Sequence, residues 1–328
     1  MTSVITLSVI VPVRDGERFI SDALASLARN FRPGFEFVVV DDGSVDGTAA
    51  VVEDFRADLP GLAVIRNPEP LGLADARNAG LAAVSGRYVT FLDGDDWLAP
   101  GYLARLVAVI DGLGCDFVRA DHVQVEGRKR VVHRAPAARR GAVLDPRGAI
   151  LPAGTRTMVD YPYAWAGVYR RSLGDLLRFP SGLHTAEDRP WIWRLHREAV
   201  TFAAVSMAGV FYRRQVAGSL TQVGDERQLH FFDAFELVFA DLEEKYLPKA
   251  VRNFCGLLAH HLELADRFPP ELRARFTERG ARMAQALPRE LVAEAAAAMP
   301  AERSAVLREL LPGLPVPARG PRPDGEES

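Results

Sequence analysis

Apolar runs alternate with amphipathic segments through the first ~120 residues. Leu7 to Val13 and Phe35 to Val40 are almost wholly apolar, as strands buried on both faces of a sheet are. Glu17 to Arg29 and Leu73 to Val84 place apolar residues at helical spacing. We therefore predict an α/β fold in which helices flank a mostly parallel, Rossmann-like sheet.

The later part of the chain becomes helical. Strands are predicted over Ala164 to Tyr169 and Val200 to Arg213, with a helix over Glu187 to Glu198 between them. Beyond residue 225 apolar side chains recur at helical spacing, which predicts core or subunit contacts. They are Phe231, Phe232, Phe235, Leu237, Val238, Leu242, Leu257, Leu258, Leu262 and Leu264. We predict a catalytic domain over residues 1–224, a C-terminal helical region over 225–311 and a disordered tail over 312–328.

Two of the apolar strands end in acidic residues. Tyr88 to Leu92 is followed by Asp93, Gly94, Asp95 and Asp96, and the strand before Gly43 ends in Asp41 and Asp42. Crowded carboxylates repel one another, and a divalent cation would relieve that cost. Since ligands bind at the carboxyl ends of strands in open α/β sheets, a metal-assisted nucleotide or phosphate site is one interpretation. A solvated acidic turn is the other.

Composition narrows the classes of function. The chain has 328 residues, 48% hydrophobic and 25% charged, and a formal net charge of −3, which gives no reason to expect nucleic acid as a partner. Its two cysteines suit a reducing cytoplasm and exclude a disulfide framework. No apolar run approaches the ~20 residues that span a bilayer. The start lacks a basic region and is interpreted as a strand rather than a signal peptide.

The stretch from Val123 to Arg140 is basic and irregular. A solvated hairpin is one interpretation of it. The other is contact with an anionic acceptor or with the inner face of a membrane, as a peripheral association.

Five segments in a fixed order resemble the family 2 glycosyltransferases of bacterial type, which have a GT-A fold. They are Leu7–Val13, Val40–Ser44, Gly72–Gly80, Phe91–Asp96 and His184–Trp191. The resemblance covers about residues 5 to 215 and implies an inverting enzyme that moves a sugar from a nucleoside diphosphate, here UDP, to an acceptor hydroxyl.

The resemblance implies a nucleotide-binding role for one group of residues. Pro12 and Val13 end the first strand beside the base, and Asp15 follows, with Glu17 as its alternative. Asp42 and Ser44 face the uracil or ribose. Arg77 also faces the nucleotide, on a helix that begins after Gly72.

The metal site is implied by the Asp-x-Asp motif at Asp93, Gly94 and Asp95. Asp93 contacts the ribose or a metal-bound water, and Asp95 ligates Mn²⁺ or Mg²⁺ directly. Arg213 reaches the diphosphate in one interpretation and forms a structural ion pair in the other.

Asp188 is the implied general base, with Glu187 as its competitor. Inversion in one displacement needs a group that takes the proton of the acceptor hydroxyl. The structural alternative is an acid that stabilises the start of a helix.

The acceptor is interpreted as a cell-envelope glycan, such as a teichoic-acid-like polymer or an exopolysaccharide, with a small molecule or lipid carrier as alternatives. Tyr161, Tyr163 and Trp165 stack on a sugar ring in one interpretation and belong to the core in the other. The C-terminal helices serve oligomerisation or the acceptor site. Two rival functions are an aspartate-based phosphatase, with Asp93 as nucleophile, and a non-catalytic nucleotide-sugar-binding protein.

Overall fold

A mixed sheet underlies the candidate site in this computed structural model, which describes residues 5–214, 224–240 and 242–314. The chain divides into two units. The first comprises residues 1–150 and 156–221, and the second comprises 151–155 and 222–328. Within the described residues, nine strands of the first unit form one sheet in the order β3-β2-β1-β4-β8-β6-β9-β5, with β7 paired to β6. The strands are β1 Leu7–Val13, β2 Phe35–Asp42, β3 Leu62–Asn67, β4 Tyr88–Phe91, β5 Trp97–Leu98, β6 Phe117–Glu126, β7 Lys129–His133, β8 Gly167–Arg170 and β9 Phe202–Arg213.

The first four long strands are parallel. β1 pairs with β2 from Leu7↔Phe35 to Val13↔Asp41, and with β4 from Leu7↔Tyr88. Every residue of β1 is buried, which explains its nearly unbroken apolar sequence. The register brings the carboxyl ends of β1, β2 and β4 to one edge of the sheet, where the acidic residues follow.

The second half of the sheet is mixed. β8 is antiparallel to both β4 and β6, and β6 is parallel to β9. The α/β class and GT-A architecture are confirmed, whereas the antiparallel strands carry no signal in a single sequence. The predicted strand from Ala164 begins only at Gly167, because the chain turns there and Ala166 N donates to Tyr163 O at 3.0 Å.

Helices of the first unit cover the sheet. They are α1 Ile20–Ala28, α2 Thr48–Asp54, α3 Leu73–Ala83, α4 Tyr102–Leu113 and α5 Asp188–Glu198. Gly80 of α3 lies against Ile10 of β1, and an added Cβ there would meet Ile10 Cγ2 at 2.4 Å. This close approach brings α3, with Arg77, over the central strand.

The second unit is helical. Its α-helices are α6 His230–Phe239, α7 Leu247–Glu263, α8 Pro270–Gln285, α9 Arg289–Ala297 and α10 Ala301–Leu310. Phe231, which the helical spacing predicts as a core or subunit contact, is buried and packs against the rings of Phe254 and Phe276. Leu237 and Leu264 are 48% and 43% exposed, so they do not belong to the core of this unit, and subunit contact stays the prediction for them.

Throughout the described part of the chain, no helix combines the length and apolarity needed to cross a membrane. Residues 219–221, which resemble the end of the family's core domain, lie outside the described residues, as does most of the predicted tail. The predicted domain roles are untested and stay predictions.

Candidate active site

The acidic turn after β4 packs against the end of β1. Gly94 leaves no room for a side chain, because an added Cβ would lie 2.9 Å from Val13 Cγ2. Asp93 and Asp95 are half-buried, and Asp96 is fully buried. The sequence Asp-Gly-Asp-Asp is thus a tight turn that presents two carboxylates outward and one inward.

Arg77 bridges this turn to the start of α5. Its Nη2 lies 2.9 Å from Asp93 Oδ1 and its Nη1 lies 2.8 Å from Glu187 Oε1. The side chain is only 4% exposed, and its guanidinium also lies 5.0 Å from the centroid of the Phe179 ring. A buried guanidinium needs such carboxylate partners to offset its lost hydration.

The segment before α5 is held against α3 by a reciprocal pair of hydrogen bonds. Asn78 Nδ2 donates to Phe179 O at 2.9 Å, and Phe179 N donates to Asn78 Oδ1 at 2.8 Å. Asn78 therefore has a structural role. The same pair of hydrogen bonds fixes the position of Phe179, whose ring packs on Arg77.

The two acids at the start of α5 differ in exposure. The Glu187 side chain is 7% exposed and that of Asp188 is 28% exposed. Burial raises the pKa of Glu187 to about 7, against the lowering effect of Arg77 and with a further rise from Asp188. Burial also raises the pKa of Asp188, against Arg189 and Arg77 and with a contribution from Asp93. Of the pair, Asp188 is the acid more accessible to an acceptor hydroxyl.

The backbone before these acids is strained. Ala186 has φ 59°, in the left-handed region that residues with a Cβ rarely adopt. Such strain persists only where the surrounding structure enforces it, and it concentrates at functional sites. It places Glu187 inward on Arg77 at the point where α5 begins.

Asp95 and Asp96 have different surroundings. Burial, with a contribution from the Asp93 carboxylate, raises the pKa of Asp95 to about 6. Asp96 Oδ1 accepts a hydrogen bond from Arg213 N at 2.7 Å, and burial raises the pKa of Asp96 well above its usual range. Asp96 thus ties the turn to β9, whereas Arg213, which lowers the pKa of Asp95 less than burial raises it, bonds only the backbone oxygen of Asp95.

The residues of the turn fit a divalent cation that a substrate also ligates. Among residues 5–214, 224–240 and 242–314, no side chain forms a hydrogen bond or ion pair with the Asp95 carboxylate. The same ranges hold no group of three or more His, Cys, Asp or Glu side chains that could bind a metal by themselves. An oxygen-rich ligand such as a diphosphate would therefore have to complete the coordination.

Arg213 supports the turn from β9. Its Nε donates to Asp95 O at 2.9 Å and its Nη2 lies 2.8 Å from Asp22 Oδ2. Its guanidinium lies between the rings of Phe19 and Trp97, 4.8 and 4.6 Å from their centroids. The structure thus shows the structural ion pair, and contact of Arg213 with a diphosphate stays a prediction.

Asp42 is engaged by the loop that precedes α3. Its Oδ1 accepts from Asn67 Nδ2 at 2.7 Å and Leu71 N at 2.9 Å, and its Oδ2 accepts from Gly72 N at 2.8 Å. The residue is 4% exposed. Asp42 therefore organises the loop that begins the Arg77 helix, and its predicted contact with a nucleotide is untested.

The loops after β1 and β2 are joined at the remaining predicted nucleotide residues. Asp15 N donates to Ser44 Oγ at 2.9 Å, and Val45 N donates to Asp15 Oδ1 at 2.9 Å. Asp15 has φ 48°, a second strained position in this region. Pro12 and Val13 are buried at the end of β1. The structure brings these residues to the same edge of the sheet as the acidic turn.

Some residues that build the site escape sequence reasoning. Three of them are partners of predicted site residues across long sequence separations: Glu187 pairs with Arg77, Asn67 with Asp42, and Asp22 with Arg213. No local pattern marks them, and only the unusual run of Glu187 and Asp188 is visible in the sequence.

The model of the family described as "Glycosyl transferase family 2" matches residues 8–177. The chain belongs to this family. The matched segment contains the Asp-Gly-Asp-Asp turn and Arg77, and membership supports a transferase rather than a phosphatase.

Curated members of the family align with much of this glycosyltransferase. The uncharacterized glycosyltransferase EpsJ of Bacillus subtilis is 30% identical over 66% of this chain and 63% of its own length. The poly(ribitol-phosphate) beta-N-acetylglucosaminyltransferase TarS of Staphylococcus aureus is 27% identical over 75% of this chain and 43% of its own. The alignments thus span less than two thirds of either relative.

Solved structures of glycosyltransferases share the fold. Residues 1–349 of S. aureus TarS in complex with UDP-GlcNAc superpose with a TM-score of 0.69, at 23% identity, over 93% of this chain and 90% of that one. The mannosyltransferase PcManGT of Pyrobaculum calidifontis, in complex with GDP-Man and Mn²⁺, superposes with a TM-score of 0.55 at 19% identity. The superposition covers 94% of this chain and 86% of that one. At these identities the likeness shows the fold alone.

Proposed function

We propose that this family 2 glycosyltransferase transfers a sugar from a UDP-sugar, with inversion, to a hydroxyl of a cell-envelope glycan. The observation that carries the proposal is the Arg77 bridge between Asp93 and Glu187. It connects the turn that would bind the leaving diphosphate to the start of α5, next to the candidate base. A displacement reaction needs both ends within one site.

Asp95 would hold Mn²⁺ or Mg²⁺ together with the diphosphate oxygens. When bound, the cation stabilises the negative charge that develops on the departing nucleoside diphosphate. The raised pKa of Asp95 supports this assignment, because burial and Asp93 outweigh the lowering effect of Arg213 and a bound cation would offset both. The Mn²⁺ complex of PcManGT, which shares the fold, also supports it.

Asp188 would take the proton of the acceptor hydroxyl as that oxygen attacks the anomeric carbon. Its raised pKa makes the carboxylate a stronger base than a solvated aspartate, and its partial exposure allows contact with an acceptor. Glu187 is occupied by Arg77, so the structure favours Asp188 over its competitor.

The donor and acceptor classes rest on TarS. Its complexes with UDP-GlcNAc and UDP support a UDP-linked donor, and its name supports an anionic envelope polymer as acceptor. Cytoplasmic location, peripheral contact with the inner face of a membrane and self-association of the chain are proposals that extend the same assignment.

The first experiment is calorimetric titration with UDP, GDP and dTDP, each with and without Mn²⁺. We expect metal-dependent binding of UDP that Asp95→Asn abolishes. The exposed Asp54→Asn on α2 is the matched control and should bind as the wild type does. Equal binding with and without Mn²⁺, or in Asp95→Asn, would reject the metal assignment.

The base is tested separately. Asp188→Asn should bind UDP with Mn²⁺ normally and lose transfer to an acceptor. Normal transfer rates in this variant would remove Asp188 as the base. Binding of a UDP-sugar by the wild type without transfer or hydrolysis would favour the non-catalytic binding protein.

A further inference from the structure

Six aromatic rings gather beside β6, β7 and β9, at a place that the proposed chemistry does not use. This aromatic cluster consists of His122, His133, Tyr161, Tyr163, Trp165 and Tyr212. His122 and His133 stack with centroids 5.1 Å apart, and Tyr163 stacks on Trp165 at 4.8 Å. The cluster unites three predicted aromatic residues with partners from three strands.

The cluster is open to solvent at one side. His122, Tyr161 and Trp165 are buried, whereas His133, Tyr163 and Tyr212 are half-buried. A cluster that served only the core would enclose all of its rings. Half-buried aromatic side chains that rest on buried rings form a platform with apolar area left for the ring of a sugar.

His122 presents a hydrogen-bond acceptor that lacks a donor. Tyr161 Oη donates its one hydrogen to Ala120 O at 3.0 Å, so it accepts from His122 Nδ1. Burial lowers the pKa of His122 to about 3, and the ring is therefore neutral with a lone pair on Nε2. Within the described residues that atom is buried and has no hydrogen-bond partner. A buried acceptor without a donor is unusual in a native structure, so packing alone does not account for the cluster.

Two arginines border the platform. The Arg156 guanidinium lies 5.9 Å from the Tyr161 ring centroid, and that of Arg214 lies 5.6 Å from the Tyr212 centroid. Both side chains are exposed, and neither forms an ion pair with a carboxylate among residues 5–214, 224–240 and 242–314. On the face of β7 that carries His133, alternation also places Lys129. Glu126 lies directly opposite Lys129, so the positive charge at the border comes from Arg156 and Arg214.

The platform adjoins the candidate active site along β9. Tyr212 belongs to the cluster, and its neighbour Arg213 supports the acidic turn. Because side chains alternate along a strand, Phe211 faces Trp97 on the opposite side. The platform and the acidic turn are thus connected through β9, with their side chains on opposite faces of the strand.

We propose that the aromatic cluster and its two arginines form a subsite for an anionic glycan, which packs a sugar ring on Tyr163 and Tyr212 and places its acidic groups at Arg156 and Arg214. Its role as an acceptor subsite rests on the proposed function, whereas binding itself does not. Aromatic faces select a ring, and the unpaired arginines select negative charge.

Calorimetric titration with short oligogalacturonate, a chain of acidic sugars, tests the subsite. Its methyl-esterified form is the neutral control, and polyphosphate is the anion without sugar rings. We expect the wild type to bind oligogalacturonate more tightly than either. Tyr163→Ala should weaken this binding about tenfold, whereas Tyr163→Phe keeps the ring and the affinity. Arg156→Gln should weaken binding of the acidic form and leave binding of the neutral form unchanged.

Several outcomes would overturn the proposal. They are a wild type that binds no oligogalacturonate, a Tyr163→Ala variant that binds as tightly as Tyr163→Phe, and polyphosphate binding that equals that of the glycan. UDP with Mn²⁺ is titrated into the same variants, and all should bind it normally, which also shows that they are folded. UDP binding without glycan binding refutes the subsite alone, and glycan binding without UDP binding refutes the proposed donor alone.

Discussion

Arg77 and Glu187 are 110 residues apart in the chain, yet their side chains form a buried ion pair of 2.8 Å. The same guanidinium binds Asp93. The ion pairs connect α3, the turn after β4 and the start of α5, so replacement of any one of the three residues changes the electrostatic environment of the other two.

Replacement of Arg77 should cost stability as well as activity. Arg77→Met leaves Asp93 and Glu187 without their cation, and removal of one partner from a buried pair lowers the free energy of unfolding by about 3–5 kcal/mol. Urea denaturation measures this loss. The exposed Arg105→Met on α4 is the control, and an equal loss there would contradict the prediction.

The network also predicts a specific rescue. In the Glu187→Gln background, Arg77→Met should lower the free energy of unfolding by less than it does in the wild type. Only Asp93 then remains as a carboxylate that loses its cation. Strict additivity of the two substitutions would show that the residues do not interact.

Asp42→Asn should destabilise the protein in the absence of any nucleotide. Its carboxylate accepts two hydrogen bonds from the loop before α3 and one from Asn67 at the end of β3, and an amide would present its NH₂ group to at least one of those donors. The expected loss is about 1–3 kcal/mol in the free energy of unfolding. The exposed Asp54→Asn serves again as control. Weaker UDP binding at unchanged stability would instead assign Asp42 to the ligand alone.

Gly94→Ala should disturb the acidic turn through Val13. The added Cβ would lie 2.9 Å from Val13 Cγ2, and overpacking of this kind costs about 1–3 kcal/mol. Thermal unfolding should show a smaller cost in a Val13→Ala background. Gly148→Ala is the control, since nothing lies within 4 Å of an added Cβ there. An effect of Gly94→Ala that is independent of Val13 would contradict the steric reason.

Acid should destabilise the protein partly through His196, which is fully buried in α5. Burial lowers the pKa of His196 from 6.5 to about 3. As the pH falls through 6.5 the unfolded chain binds a proton that the folded one does not, so stability is present above 6.5 and is lost toward 3. At pH 5 the loss from this residue is about 2 kcal/mol.

His196→Phe should therefore flatten the pH profile of unfolding between 6.5 and 5, since the ring lies among Phe117 and Phe202 and an aromatic replacement fits them. The exposed His260→Gln should change the profile less. Parallel profiles for the wild type and His196→Phe would show that His196 does not carry the effect.

Periodicity and the acidic strand ends were enough to predict the class of fold and the location of the candidate site. β1 and β2 are buried on both faces and are marked by their apolar sequence. Asp93 and Asp95 follow a strand whose end must face the same edge as that of β1. The candidate base was visible only through the order of motifs, because a Glu-Asp pair at a helix start is otherwise unremarkable.

The partners of these residues depend on tertiary structure. Tyr161, Tyr163 and Trp165 are neighbours in sequence, but Tyr212 joins them only because β9 pairs with β6, where Gln124 lies opposite Tyr212. Asp22 meets Arg213 for a similar reason. Such pairings are set by sheet order, which a single sequence does not encode locally.

The position of Arg213 also has a consequence for biosynthesis. The Asp96 carboxylate accepts from the backbone N–H of Arg213, which is 117 residues further along the chain. Asp22 pairs with the guanidinium of the same arginine, 191 residues further along. A nascent chain therefore carries its acidic turn long before the strand that supports it has been synthesised. A ribosome-bound chain that stops at residue 177, the end of the matched family segment, would contain every acid of the turn and none of this support.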